Sequence, residues 1–342
     1  MATRGERPPV LTAPHDPPGA KAPRAVVSLS STELRGRAIT RKRRGRALTS
    51  FGRTLVGSKK ALAGATILFI MVVVAIIPNV LAPYSPSAEV FPPGLGPSGA
   101  HLLGTTSYGQ DIFSQLIWGT RVSLVIAVVA GLISTFLSVI IGVSAAYLGG
   151  VLDGILSLLT DSFLVIPAFP LVVVIAAYSN GGGTPIIIAV LVVTGWSFGA
   201  RQLRAQGLSL RNRDFLAAAQ LRGERRLRII VFEMLPSMTS LIVANFLGAA
   251  VYSVLTAAGL EFIGLGNVNT ESWGTMLYWA QNNQALTAGI PLWALAPGLA
   301  IALLGGAFAL LNYAFDEVSN PALRHVVLTR PHRHRIGRQR AS

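Results

Sequence analysis

The sequence predicts an all-α membrane protein with six transmembrane helices, and three observations lead there together. Of 342 residues, 51% are hydrophobic and only 13% are charged, with a mean hydropathy of +0.56; a soluble domain carries about 25% charged residues. The apolar residues gather into six segments, each near the ~20 residues that cross a bilayer core as a helix. Finally, 28 of the 29 Lys and Arg fall in three blocks, before residue 61, between Arg201 and Arg228, and after Asn320.

Along the chain, residues 1–54 are rich in Pro, Arg and Ser, with too little apolar surface to offset the entropy of ordering them. They read as a basic, disordered cytosolic tail. No cleavable signal peptide is expected, because the first apolar run arrives only after Lys60. The first span is expected at about 61–82, so residues 55–117 hold one transmembrane helix and an extracytoplasmic loop. The second is expected at 122–148, the third at 152–178 with Pro167 and Pro170 inside it, and the fourth at 185–203 after the turn Gly181-Gly182-Gly183. The fifth (229–257) and sixth (292–315) complete a core transmembrane domain over 118–320, and residues 321–342 read as a second basic cytosolic tail.

Orientation follows from charge. Fourteen Lys/Arg precede residue 61, eight lie in 201–228 and six follow Asn320, leaving only Arg121 elsewhere. Basic residues stay on the cytosolic side of short loops, which places both termini and the 204–228 loop in the cytosol. Six spans return both termini to one side, so count and charge agree. The net charge of +15 thus follows membrane topology rather than a nucleic-acid-binding face. With no cysteine, disulfides and thiolate metal sites are excluded. His332 and His334 read as part of a solvated tail rather than a metal site. Small residues recur at three- and four-residue spacing in the second span (Gly131, Ser134, Ser138, Gly142, Ala145) and the sixth (Gly298, Ala302, Gly305, Ala309). Such faces let helices approach closely in lipid, within this chain or against a partner.

The loop between the fourth and fifth spans carries the most information. Asn212 suits an N-cap, Asp214 suits the positive first turn and Gly223 suits a C-terminal stop. A helix of about three turns, roughly 15 Å long, is expected over 212–223. It presents Phe215, Leu216 and the alanines 217–219, with arginines at both ends, and an interfacial amphipathic helix is the simpler alternative.

Ala217-Ala218-Ala219, then Gly223, then Leu235-Pro236 resembles the "EAA" loop of binding-protein-dependent ABC importer permeases, with Ala217 in place of the usual Glu. Further segments resemble the C-type permeases of dipeptide, oligopeptide and nickel systems. These are His101-Leu102-Leu103-Gly104-Thr105 with Gly109-Gln110-Asp111, then Gly119-Thr120-Arg121-Val122-Ser123-Leu124. Later come Phe262-Ile263-Gly264-Leu265-Gly266, Ser272-Trp273-Gly274-Thr275-Met276-Leu277 and Pro297-Gly298-Leu299-Ala300-Ile301. Thr106, Gln110 and Gln115 stand where that family commonly has Asp, Arg and Arg, so the outer loop is less charged than usual. The resemblance covers about residues 50–323. It implies a type I ABC importer permease fold in a prokaryotic cell membrane, with the 212–223 helix as a coupling helix docking into a groove on an ATPase subunit. Asp214, Phe215, Leu216, Ala217, Ala218, Ala219 and Gly223 are then the candidate contacts. It also implies a homologous second permease, two ATPase subunits (or a heterodimer) and an extracytoplasmic substrate-binding protein as partners.

The chain has no G-x-x-x-x-G-K-[ST] phosphate loop and no Ser/His/Asp, paired-carboxylate or metal constellation in its spans. It is therefore expected to be a transport subunit rather than an enzyme and to hold no cofactor, with ATP and Mg bound by partner subunits. Asp161 is the notable acid within a span. It is expected near the cytosolic side, paired with Arg201 or Arg204, with a role as substrate ligand the alternative. A self-contained channel or ion-coupled carrier is the competing function, although few intramembrane charges are available for proton or sodium coupling.

Overall fold

A computed structural model describes residues 58–178 and 183–319. The expected tails at 1–54 and 321–342, and residues 179–182 of the expected glycine turn, lie outside the described residues. Within them the regular structure is helical, apart from one isolated antiparallel bridge between Thr105 and Asp111.

Among the described residues, five helices are long and apolar enough to cross a membrane: α1 (Lys59–Ile76), α3 (Ile112–Leu148), α6 (Gly183–Arg211), α10 (Thr239–Phe262) and α12 (Leu292–Ser319). The short α2 (Pro78–Leu81) continues α1 after a break at Ile77. The expected third span is broken: α4 (Gly150–Val165) and α5 (Ala168–Tyr178) meet at 87° and make a sixth crossing only if counted together. Pro167 is the cause. Its ring disfavours helical backbone at the preceding residue, and Ile166 is extended (φ −67°, ψ 127°).

Boundaries elsewhere moved for local reasons. Helix α3 starts at Ile112, ten residues before the expected span, because Asp111 caps it by accepting from the Ser114 backbone N–H (2.8 Å) and hydroxyl (2.7 Å). Its 37 residues reach ~55 Å, well beyond a ~30 Å hydrocarbon core. The expected fifth span at 229–257 is not one helix. It is divided into α8 (Arg226–Ile229), a π-helical turn (Ile230–Met234), α9 (Leu235–Ser237) and α10. Pro236 has no N–H to donate and Met238 leaves helical geometry (φ −108°, ψ 5°). In the loop expected over 258–291, α11 (Trp273–Asn282) forms behind a reciprocal cap between Ser272 and Thr275. The buried Glu261 carboxylate accepts from the Ser272 hydroxyl at 2.6 Å, tying the end of α10 to the start of α11.

The small-residue face of α3 is used inside this chain. A methyl group on Gly142 would strike the Ala200 carbonyl of α6, and one on Gly131 would sit 3.1 Å from Ala250 N of α10. Ser138 of α3 adds an interhelical hydrogen bond to the Trp196 carbonyl at 2.6 Å. The corresponding face of α12 differs: methyl groups on Gly298 or Gly305 would meet no atom within 4 Å. A large apolar core runs through α3, α10, α11 and α12, including Trp273, Trp293, Leu304 and Phe308. A smaller one lies at the arginine-rich end of the bundle, around Tyr147, Leu203, Ile229 and Met234.

Candidate functional site

Helix α7 (Asp214–Leu221) sits against that smaller core. The chain leaves α6 at Arg211, and the Arg213 N–H bonds back to the Leu210 carbonyl at 2.9 Å. Arg213, rather than the expected Asn212, occupies the N-cap, and no side chain caps the helix. Asp214 lies in the first turn, where the amide dipoles favour a carboxylate. The helix is eight residues long, ~12 Å, shorter than the expected three turns.

Its end is tightly specified. Gly223 has φ +72°, its N–H bonds to the Gln220 carbonyl (2.9 Å) and the Glu224 N–H bonds to the Ala219 carbonyl (3.3 Å). These are the two bonds of a Schellman stop, which needs a left-handed residue at this point. Glu224 then accepts from Arg222 Nη2 at 2.9 Å and lies 3.8 Å from Arg228 Nε. A side chain at Gly223 would meet no neighbour, so the cost of adding one is conformational. Gly223→Ala is expected to destabilise the loop by about 1–2 kcal/mol. Faster backbone amide exchange in 219–224, with the rest of the protein unchanged, checks this.

The seven residues nominated for contact divide by face. Leu216 and Ala219 are fully buried, packed with Val143, Tyr147, Leu203, Ile229, Met234 and Met238. They fasten α7 to this chain and are not available to a partner. Asp214, Phe215, Ala217, Ala218 and Gly223 are exposed. Leu221, not among the nominated residues, is 89% exposed and extends the same outward face. The three- and four-residue spacing of 214, 217/218 and 221 carried that signal in the sequence.

The expected ion pair of Asp161 forms with Arg201, and it is loose. Asp161 reaches Arg201 only at 3.9 Å, with both side chains more than half exposed. Arg204 instead clasps Asp153 with two parallel bonds, Nε to Oδ1 at 2.6 Å and Nη2 to Oδ2 at 2.9 Å. Ser157 donates a further bond to Asp153 Oδ1 at 3.1 Å. Helices α4 and α6 are neighbours, and Arg204 lies about one turn beyond Arg201, which sets it beside Asp153 near the α4 start. The bidentate geometry makes Asp153–Arg204 the structural clamp between these helices.

Beside the α4/α5 bend a cavity of about 530 Å³ opens. Residues 163–168 form one wall, and four helices form the rest, with polar groups that include Thr135, Ser138, Thr194, Asn245, Tyr252 and Asn312. Thr194 Oγ1 and Tyr252 OH lie 3.1 Å apart. None of the lining residues is charged, so the cavity offers hydroxyl and amide groups among apolar walls. That chemistry suits a neutral polar molecule better than an ion held tightly.

Residues 138–325 match the family described as "Binding-protein-dependent transport system inner membrane component". The chain belongs to this family of membrane permeases. Its relatives include the dipeptide transport system permease protein DppC of Bacillus subtilis, 32% identical over 275 residues, which cover 80% of this chain and 85% of the relative. The glutathione transport system permease protein GsiD of Pectobacterium atrosepticum is 30% identical, covering 80% and 91%. The nickel transport system permease protein NikC of Escherichia coli is 32% identical, covering 75% and 92%. The permease is thus of the C type found in dipeptide, oligopeptide and nickel ABC importers.

Several residues that shape this permease escaped the sequence reading. Asp153 was not singled out, because its partner lies 51 positions away. Glu261 gave no signal at all, since its role depends on Ser272 folding back against it.

Proposed function

We propose that this permease is one of two membrane halves of an ATP-driven importer, and that α7 transmits the ATPase cycle to the pathway. The carrying observation is the division of α7 into an inward face, Leu216 and Ala219, and an outward apolar face, Phe215, Ala218 and Leu221. A short helix so fastened moves with the Tyr147/Leu203/Met234 core and can pass a push on its outward face to α3, α6 and α10. Such an apolar face fits a groove on a partner, in the manner of helix-in-groove recognition.

The basic blocks support a cytosolic position for α7 and both basic tails, and the membrane is that of a prokaryotic cell. ATP and Mg bind two ATPase subunits, since the sequence has no phosphate loop. A homologous second permease completes the pathway, and an extracytoplasmic binding protein delivers the cargo. Relatives are named for dipeptide, oligopeptide, glutathione and nickel transport. The uncharged hydroxyl and amide lining of the 530 Å³ cavity favours peptides or similar small solutes over a bare metal ion.

Reconstitution tests this. Liposomes holding the permease pair and both ATPase subunits should import peptide only with ATP and the binding protein, and liposomes with this chain alone should be tight. ATP-independent flux through the chain alone would overturn the importer reading in favour of a channel or carrier.

A further inference from the structure

At the arginine-rich end of the bundle, beside α7, a cavity of about 400 Å³ opens where the end of α3, the end of α6, α7 and α8 meet. Two of its lining residues, Tyr147 and Ile229, are buried in the core that anchors α7. Arg211, Asn212, Gln220 and Arg226 also line it and are exposed. The cavity therefore touches both ends of the loop that carries α7. Positive charge dominates this stretch: the eight arginines of 201–228 face two acids, Asp214 and Glu224.

The donors around this cavity lack acceptors. Tyr147 is 7% exposed, and its hydroxyl makes no hydrogen bond among the described residues. A phenol buried to that degree ordinarily has a partner, and the little surface Tyr147 keeps opens on the cavity. Among the described residues the Arg211 and Arg226 side chains form no ion pair. The Arg211 guanidinium lies against Gly149, where a methyl group would overlap it. Asp153 is within electrostatic reach of Arg211, but Arg204 already clasps both of its oxygens. Glu224, the one carboxylate lining the cavity, is occupied by Arg222 at 2.9 Å and Arg228 at 3.8 Å. The side-chain amides of Asn212 and Gln220 add further unused donors.

We propose that this cavity binds a phosphate group, held between the Arg211 and Arg226 guanidiniums and accepting a hydrogen bond from the Tyr147 hydroxyl. Asn212 and Gln220 supply amide N–H groups to its remaining oxygens. The number and spread of the donors select phosphate over carboxylate. A planar carboxylate is satisfied by one guanidinium, as Asp153 is by Arg204 in this chain. A tetrahedral anion has more oxygens, pointing in more directions, and needs donors on several sides. The volume lies within the range of small-ligand sites and leaves room for a glycerol beside the phosphate. Basic pockets between helix ends at a membrane surface suit lipid headgroups, and the same donors would take a soluble phosphate ester. Bound there, the anion ties the end of α6 to the start of α8 and so steadies both flanks of α7. Binding is a property of this chain alone, so it stands or falls separately from ATPase coupling.

The test is backbone hydrogen exchange over 211–229 in the purified full-length chain, held in phosphate-free dodecyl maltoside micelles at constant ionic strength. Glycerol 3-phosphate in solution and phosphatidylglycerol doped into the micelle present the same group from water and from a lipid. Saturable slowing of exchange is expected in at least one arm, and the arm that responds identifies the source. Tyr147→Phe keeps the ring in its core and removes only the hydroxyl; it should raise the half-saturating concentration at least fivefold. Arg226→Gln, a change at an exposed position, should raise it at least tenfold and serves if Tyr147→Phe fails to fold. Arg225→Gln removes the same charge one position away, outside the cavity lining, and should change it less than twofold. No slowing in either arm would overturn the proposal. So would unchanged affinity in folded Tyr147→Phe, or equal losses in the Arg225 and Arg226 variants, which would mean diffuse attraction to a basic surface.

Discussion

Leu221→Asp is expected to abolish association of the permease with its ATPase subunits while leaving the permease itself as stable as before. The Leu221 side chain is almost wholly exposed and touches no core, so a carboxylate there costs the isolated chain little. Inserted into an apolar groove, the same carboxylate would be desolvated without a partner, a penalty of several kcal/mol. Leu216→Ala should behave in the opposite way. It opens a cavity in the core that anchors α7, costing on the order of 2–5 kcal/mol, and lowers the melting temperature of the isolated chain. Co-purification and thermal unfolding, measured on both variants, separate a docking residue from an anchoring one. If Leu221→Asp still co-purified with the ATPases at wild-type yield, α7 would not be the docking element.

Gly142→Leu is expected to prevent accumulation of folded protein, whereas Gly298→Leu should fold normally as an isolated chain. Overpacking a core that can adjust costs about 1–3 kcal/mol. At Gly142 the obstacle is the main-chain carbonyl of Ala200, so relief requires α6 to move away from α3. That separation would also strain the Ser138–Trp196 bond and the Asp153–Arg204 clamp. At Gly298 the first carbon of a side chain would have no atom of this chain within 4 Å. Detergent-extracted yield and gel-filtration profile read the contrast directly. A monodisperse Gly142→Leu protein at normal yield would mean that the α3–α6 contact is looser than described.

The shared three- and four-residue spacing of small residues in these two helices shows where sequence legibility stopped. Periodicity assigns Gly131 and Gly142, or Gly298 and Gly305, to one helical face, but cannot say what that face meets. In α3 it meets α6 and α10 of the same chain; in α12 a methyl group added at the corresponding glycines would have no atom within 4 Å. Helix α7 was legible for a different reason: its terminal signals are local. Asp214 in the first turn and Gly223 at the left-handed stop act within a few residues. The cap was misassigned to Asn212: Arg213 takes that place, its N–H bonded back to the Leu210 carbonyl at the end of α6. Pro167 and Pro170 were visible as irregularities, yet the 87° turn depends on neighbouring helices accommodating both arms.

Sequence alone determined that the chain lives in a membrane, about how many times it crosses, which segments carry positive charge and which short helix breaks the pattern. Each of these rests on local physics: apolar length against bilayer thickness, charge placement, caps and stops. Tertiary structure alone decided that Leu216 and Ala219 anchor the helix while Phe215 and Leu221 face outward. It also decided that Arg204 holds Asp153, and that Tyr147, Arg211 and Arg226 share one cavity. Those facts depend on contacts between residues far apart in the chain, and such contacts exist only once the helices have packed.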